Sequence, residues 1–174
     1  GGYCVQVARA FGASVVAIPS HRPCRRLALR PRVFDDAGVR AAAVAERVAQ
    51  LQRQGRPVLV GSDSVGDSLV LSAALSRGGV RHRVLNALND AEEAAIVAEA
   101  GRAGQVTVAT RMAGRGTDIA LDAAARAAGG LHVLSCQDNP SRRLDRQLAG
   151  RAGRQGDPGS EEAWFLASST ALQE

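Results

Sequence analysis

The chain has 174 residues, with 22 cationic and 17 acidic side chains, a formal net charge of +5 and 45% hydrophobic residues. All the cations are arginine, which excludes a phosphate-binding loop built on lysine, a Schiff-base lysine and a lysine general base. The apolar fraction suits one folded domain and excludes disordered and fibrous classes, and no apolar run or leader pattern marks a membrane span or signal peptide, so a soluble, cytoplasmic protein is expected.

Short β-rich runs alternate with helical ones, the pattern of a parallel sheet covered on both faces. Ala13–Ile18 reads as a strand ended by Pro19, and the stretch from there to Pro31 as an irregular, exposed connector. Asp35 or Asp36 caps a helix in which Val44, Val48 and Leu51 recur at i, i+4 and i+7, with Gly55 at its end. Pro57–Gly61 is a buried strand. Ser64 and Asp67 form a capping box that opens a helix ending at Gly78 and Gly79, and Arg81–Leu85 is the next strand. Asn89, with Glu92 three residues on, caps a helix that ends near Gly101–Gly104. Gln105–Thr110 and Leu131–Cys136 are strands, Asn139 caps a helix carrying Leu144 and Leu148, and Ala163–Ala167 is the last strand, with Trp164 and Phe165 in the core. Right-handed crossovers then place the ligand-bearing loops along the edge where the strands end.

The charge is clustered. Five arginines and no acid lie between His21 and Arg32, and five arginines with one acid, Asp145, between Arg142 and Arg154, which leaves the remainder of the chain at −4. Such windows bind phosphates, acidic partners or nucleic acid, or form solvated basic faces, and Arg22–Arg32 could also meet acidic lipid. Cys4, Cys24 and Cys136 are odd in number and never in a C-x-x-C pair, so they suggest neither a disulfide framework nor a cysteine zinc site. His132 and Cys136 share a strand face, but two ligands do not make a metal site.

Two motifs carry chemistry. In Met112–Asp118, Gly114 and Gly116 flank Arg115, so the backbone can approach a phosphate, while Asp118 offers a carboxylate to a sugar hydroxyl. In Gln147–Asp157, Arg151 and Arg154 stand three apart at a helix end, where both guanidinium groups would project to one side and fork around a phosphoryl group. Glycines at 150, 153 and 156 keep that side open.

These runs, with Val106–Thr110, Gly129–Val133 and Gln155–Ser160, resemble the second nucleotide-binding lobe of the SecA preprotein translocase ATPase, a relative of the second RecA-like lobe of superfamily-2 helicases. The resemblance spans roughly residues 13–168 and implies a three-layer α/β RecA-like domain, with 1–34 a lead-in and 35–174 the lobe, in a protein with more chain on both sides. It implies a half-site. ATP and Mg2+ would sit between this lobe and a first lobe of the same chain that carries the phosphate loop and the magnesium ligands. Arg151 and Arg154 would reach the γ-phosphate, and Arg115 would lie on the lobe interface. Asp118 would contact the ribose, Gly114 and Gly116 would admit the nucleotide, and Gln147 and Gln155 would orient the motif. This lobe would hold no metal ligand and would not hydrolyse ATP alone.

The implied partners are an unfolded preprotein, a translocon channel and an anionic membrane surface, at the inner face of the cell membrane. The chain departs from the family at Arg111, where SecA usually has asparagine, at Ser135–Pro140, and at Ala149, where an arginine is usual. These departures fit a divergent SecA-like paralogue. The alternatives are a helicase lobe acting on nucleic acid, for which Tyr3, Phe11, Phe34, Trp164 and Phe165 supply few stacking platforms, and a non-catalytic remnant.

Overall fold

The computed structural model describes residues 8, 10–14, 16, 22–85, 93–110, 118–138 and 147–167. Seven strands make one sheet: β1 (Arg25–Ala28), β2 (Arg32–Phe34), β3 (Val58–Ser62), β4 (Arg83–Leu85), β5 (Val106–Thr110), β6 (Leu131–Ser135) and β7 (Pro158–Leu166). Every pairing is parallel, in the order β1-β7-β6-β3-β5-β4, with β2 also on β7. Four helices are described: α1 (Ala37–Arg53), α2 (Val65–Arg77), α3 (Glu93–Glu99) and α4 (Ala123–Ala127). This is the expected α/β, helix-covered architecture.

The local chemistry explains the boundaries. Asp36 caps α1 by accepting from the Val39 amide at 2.9 Å. In α2, Ser64 Oγ accepts from the Asp67 amide at 3.1 Å while Asp67 accepts from the Ser64 amide at 3.2 Å, so two donors of the first turn are satisfied reciprocally. Strands β3 and β6 are buried throughout, as central parallel strands covered on both faces must be. Alternate residues then serve two cores. Val58 and Val60 pack with Val44, Val48, Leu51 and Leu75 under α1 and α2, while Leu59 joins Val133, Ile96 and Ala125 on the α3 and α4 side.

Two expectations need correction here, and one helix is new. The segment read as an irregular exposed connector contains β1, and β2 follows directly after it; both run alongside β7, with Arg26 opposite Gly159 and Val33 opposite Phe165. Between Ala28 and Arg32 this edge has one residue more than β7, so a bulge at the Pro31 corner splits one edge strand into two. Arg-Arg-Leu-Ala shows no alternation because its strand character comes from pairing with β7, more than a hundred residues away. The last strand also begins at Pro158 rather than Ala163, since buried Ser160 and Glu162 find polar partners inside. Helix α4 was not foreseen, although Asp122 caps it by accepting from the Ala125 amide at 2.6 Å; with backbone amides holding it, the Asp122 carboxyl lies below its ordinary pKa.

Of the expected strand Ala13–Ile18, residues Ala13, Ser14 and Val16 are described and are not in strand conformation. The caps assigned to Asn89 and Asn139 lie outside the described residues.

Beneath β7 runs a buried polar chain. Arg56 Nη2 donates to Ser160 Oγ at 2.9 Å, and Ser160 Oγ lies 2.7 Å from His132 Nδ1. His132 Nε2 stands 2.9 Å from Glu162 Oε1, an electrostatic contact rather than an aligned hydrogen bond. Glu162 also accepts from Arg47 Nε at 2.8 Å and from Trp164 Nε1 at 3.1 Å. Trp164 is 1% exposed and its ring lies 4.7 Å from the Arg32 guanidinium carbon, so a cation stacks on the core's largest side chain.

Burial lowers the pKa of His132, against the opposing pull of Glu162. Burial alone would raise Glu162, but His132 and Arg47 outweigh it and bring its pKa down to about 2. Both signs point the same way. As pH falls through His132's ordinary value of 6.5, the unfolded chain takes up a proton that the folded chain resists; below Glu162's ordinary value of 4.5 the unfolded chain does so again. The urea midpoint should therefore fall steadily on acidification from neutral pH, and His132→Gln should flatten the upper part of that slope.

Candidate functional site

A cleft that gathers three of the predicted residues, Asp118, Arg154 and Gln155, has a volume of about 410 Å³ and is lined also by Arg22, Cys24, Gly153 and Gly156. It lies at the edge where the strands begin, opposite to the edge expected from the crossovers. The reason is topological. The chain leaves β6 at one edge of the sheet and must return to the other before parallel β7 can start, so the arginine motif is delivered beside Pro158 and β1.

Arg154 is fixed on two sides. Its Nε donates to Gly150 O at 2.8 Å, and its Nη1 pairs with Asp118 Oδ1 at 3.0 Å, both side chains about half exposed. Arg151 is half-buried; burial lowers its pKa first, the Arg154 charge lowers it further, and Asp118 and Glu93 oppose both. Two like charges are therefore held near one another with the carboxylates of Asp118 and Glu93 opposing them.

The two arginines do not share one helical face as their spacing suggested. Helix ends after Ala149, and Gly153 turns left-handed at φ 68°, followed by Arg154–Gly156 in a tight 3-10 turn with Gln155 at φ 57°. The glycine at 153 is sterically required. A Cβ there would lie 2.8 Å from Arg26 Cβ and 3.1 Å from Arg26 N, so the turn sits flush on the backbone of β1. Its own amide lies where a Cβ on Gly159 would fall, at 2.7 Å.

Asp118, Arg151, Arg154 and Gln155 are thus brought together. Gln147 begins the short described helix before the turn. Arg115, Gly114 and Gly116 lie outside the described residues. Sequence reasoning missed the contacts of three arginines with residues 152–157, of which Arg22 also lines the cleft. Arg22 Nη1 donates to Gln155 O at 3.0 Å, Arg26 Nη1 to Ala152 O at 3.5 Å, and Arg126 Nε pairs with Asp157 Oδ1 at 2.9 Å. Arg22 and Arg26 belong to the first basic cluster, whose charge was expected to face solvent; no local pattern could reveal contacts spanning about 130 residues. Among the described residues no group of three His, Cys, Asp or Glu side chains could hold a metal, and burial pushes the Cys136 thiol up to about 12, which leaves it unreactive.

Against known proteins, the chain matches the family described as the SecA P-loop domain over residues 23–127 and 122–172. It belongs to the SecA family. It is 53% identical over 152 residues to protein translocase subunit SecA 2 of Magnetococcus marinus, covering 87% of this chain and 23% of that protein. It is 49% identical over 152 residues to protein translocase subunit SecA of Cytophaga hutchinsonii, covering 87% and 14%. The chain therefore spans a quarter or less of these curated relatives. Among solved structures it resembles the E. coli DEAD-box protein SrmB, at TM-score 0.67 and 19% identity over 82% of this chain and 79% of that one. It also resembles S. cerevisiae Dbp5 bound to RNA and ADP BeF3, at TM-score 0.64 and 17% identity over 99% and 44%. At those identities the likeness is of fold, and it confirms the RecA-like, helicase-type layering inferred for this SecA lobe.

Because Gly153 combines a positive φ with backbone contact, Gly153→Ala should destabilise the chain by about 1–3 kcal/mol. Urea denaturation against the parent would measure it.

Proposed function

We propose that this SecA-family chain is the second nucleotide-binding lobe of a translocation ATPase, contributing the cationic half of a site completed by another lobe of the same protein. The observation that supports this reading is the pairing of Arg154 with Asp118 in one cleft beside a glycine-bearing turn, with the Arg151 charge close enough to feel both. In the reading, Arg151 and Arg154 bind the γ-phosphate, and they stabilise the charge that develops there when the lobes close.

The pairing of Arg154 with Asp118 gives the site two settings. Without nucleotide, the carboxylate holds the guanidinium. When a phosphate takes the guanidinium, the carboxylate is released to accept a ribose hydroxyl. Gln147 and Gln155 help set the turn, and Gly114, Arg115 and Gly116 complete the nucleotide face. Mg2+ bound with the nucleotide would supply charge neutralisation at the phosphates; in this reading its protein ligands, like the phosphate loop and its lysine, would belong to the first lobe. Closure of two lobes around one nucleotide couples turnover to motion, which here would move a preprotein through a membrane channel.

In the full-length protein, Arg154→Ala should lower ATP turnover by on the order of 10² to 10³-fold while ATP affinity changes only a few-fold. Steady-state hydrolysis and equilibrium nucleotide binding read the two quantities separately, and unchanged turnover would refute the phosphate role. The 174-residue chain alone should hydrolyse no ATP above buffer. Stimulation of the full-length enzyme by translocon-bearing membranes with an unfolded preprotein is the expected signature of the motor. Stimulation by single-stranded RNA alone would assign the lobe to a helicase instead.

A further inference from the structure

We propose that Arg22 is a positioning residue for the arginine-bearing turn, holding Gln155 so that Arg154 faces the cleft, with Arg26 bracing the same turn from β1. The catalytic consequence rests on the reading of the cleft as a phosphate-facing half-site; the structural claim stands apart from it.

Three observations converge. First, Gln155 is the only non-glycine residue with a positive φ among the described residues, at φ 57°. A side-chain-bearing residue in the left-handed region costs on the order of 1 kcal/mol and persists where its surroundings impose it. Second, what imposes it includes Arg22, whose Nη1 donates to the Gln155 carbonyl at 3.0 Å in a charge-assisted bond. Third, the Arg22 stem lies over Gly156: a Cβ at that glycine would be 3.1 Å from Arg22 Cδ and 3.3 Å from Arg22 Cβ. The absence of a side chain at 156 makes the room that the Arg22 stem uses.

Arg26 acts on the other end of the turn. Its Nη1 reaches Ala152 O at 3.5 Å while its Nε pairs with Glu161 Oε2 at 3.2 Å, so the turn is tied to β1 and, through Glu161, to β7. The two carbonyls gripped, Ala152 and Gln155, bracket Arg154. Asp157 N also donates to Arg154 O at 2.9 Å, closing the turn behind it.

An exposed guanidinium–carbonyl bond adds little to global stability. Its effect here is local, because it selects one turn conformation among several that Gly153 and Gly156 would permit. The lead-in residues before β1 are thereby connected directly to the group expected to meet the phosphate, and a displacement of that lead-in would move Arg154.

The test uses the full-length protein and four variants: Arg22→Ala, Arg22→Lys, Arg154→Ala and the Arg22→Ala, Arg154→Ala double variant. Arg22→Ala should lower kcat for ATP by on the order of tenfold with KM within about twofold, and leave the melting temperature in place. Hydrogen exchange should quicken at residues 153–157 alone, and Arg22→Lys should recover most of both effects. In the Arg154→Ala background, Arg22→Ala should cost no further turnover yet still quicken exchange across the turn. Unchanged exchange at 153–157 in Arg22→Ala would overturn the proposal whatever the turnover. So would a turnover loss that multiplies in full with that of Arg154→Ala. If Arg154→Ala itself leaves turnover unchanged, the phosphate reading fails, and the exchange measurement still decides whether Arg22 holds the turn.

Discussion

The backbone-on-backbone packing at the starting edge of the sheet governs the rest of the structure. There the turn ending the arginine motif, the first residues of β7 and the backbone of β1 approach so closely that Gly153 and Gly159 leave no room for a Cβ. Parallel strands cannot be joined by a tight hairpin, so each crossover must carry the chain back to this edge. In the last crossover that obligatory return coincides with the arginine motif, whose turn rests on the two strands most distant in sequence.

Strand β7 is the element on which both halves of this arrangement depend. One side pairs with β6 and the other with the edge formed by β1 and β2. Its inward residues carry the buried polar chain from Arg56 to Arg47, and its preceding turn carries Arg154. Buried ionic groups are costly unless their partners are in place, so Ser160, His132 and Glu162 fix the register of β7 against β6 as well as contributing energy. A slip by one residue would bring Glu161 under α1 without a partner and turn every core side chain of β7 outward. The position of the arginine turn is thus set by a register whose specificity lies on the opposite face of the sheet.

The same geometry gives the cleft an electrostatic character that neither arginine has alone. Arg151 bears the cost of burial and of its neighbour's charge, and Asp118 compensates in part.

How much of this could be read from the chain is seen residue by residue. The caps at Asp36 and Ser64, the buried faces of α1 and β3, and the α/β layering follow from hydrogen-bonding chemistry and from periodicities of 3.6 and 2, which act over a few residues and leave a local imprint. The arginine motif was legible for the same reason, since glycine spacing records where backbone must pass close. The strands at Arg25–Ala28 and Arg32–Phe34, the early start of β7, the edge on which the cleft opens, and the contacts of Arg22 and Arg26 with the turn were not. Each is decided by how the strands assemble, by pairing across more than a hundred residues or by the crossover from β6 to β7, and the charge of an arginine says only that it needs a partner. Which carbonyl or carboxylate it finds is fixed when the sheet closes, and so is the direction in which Arg154 points.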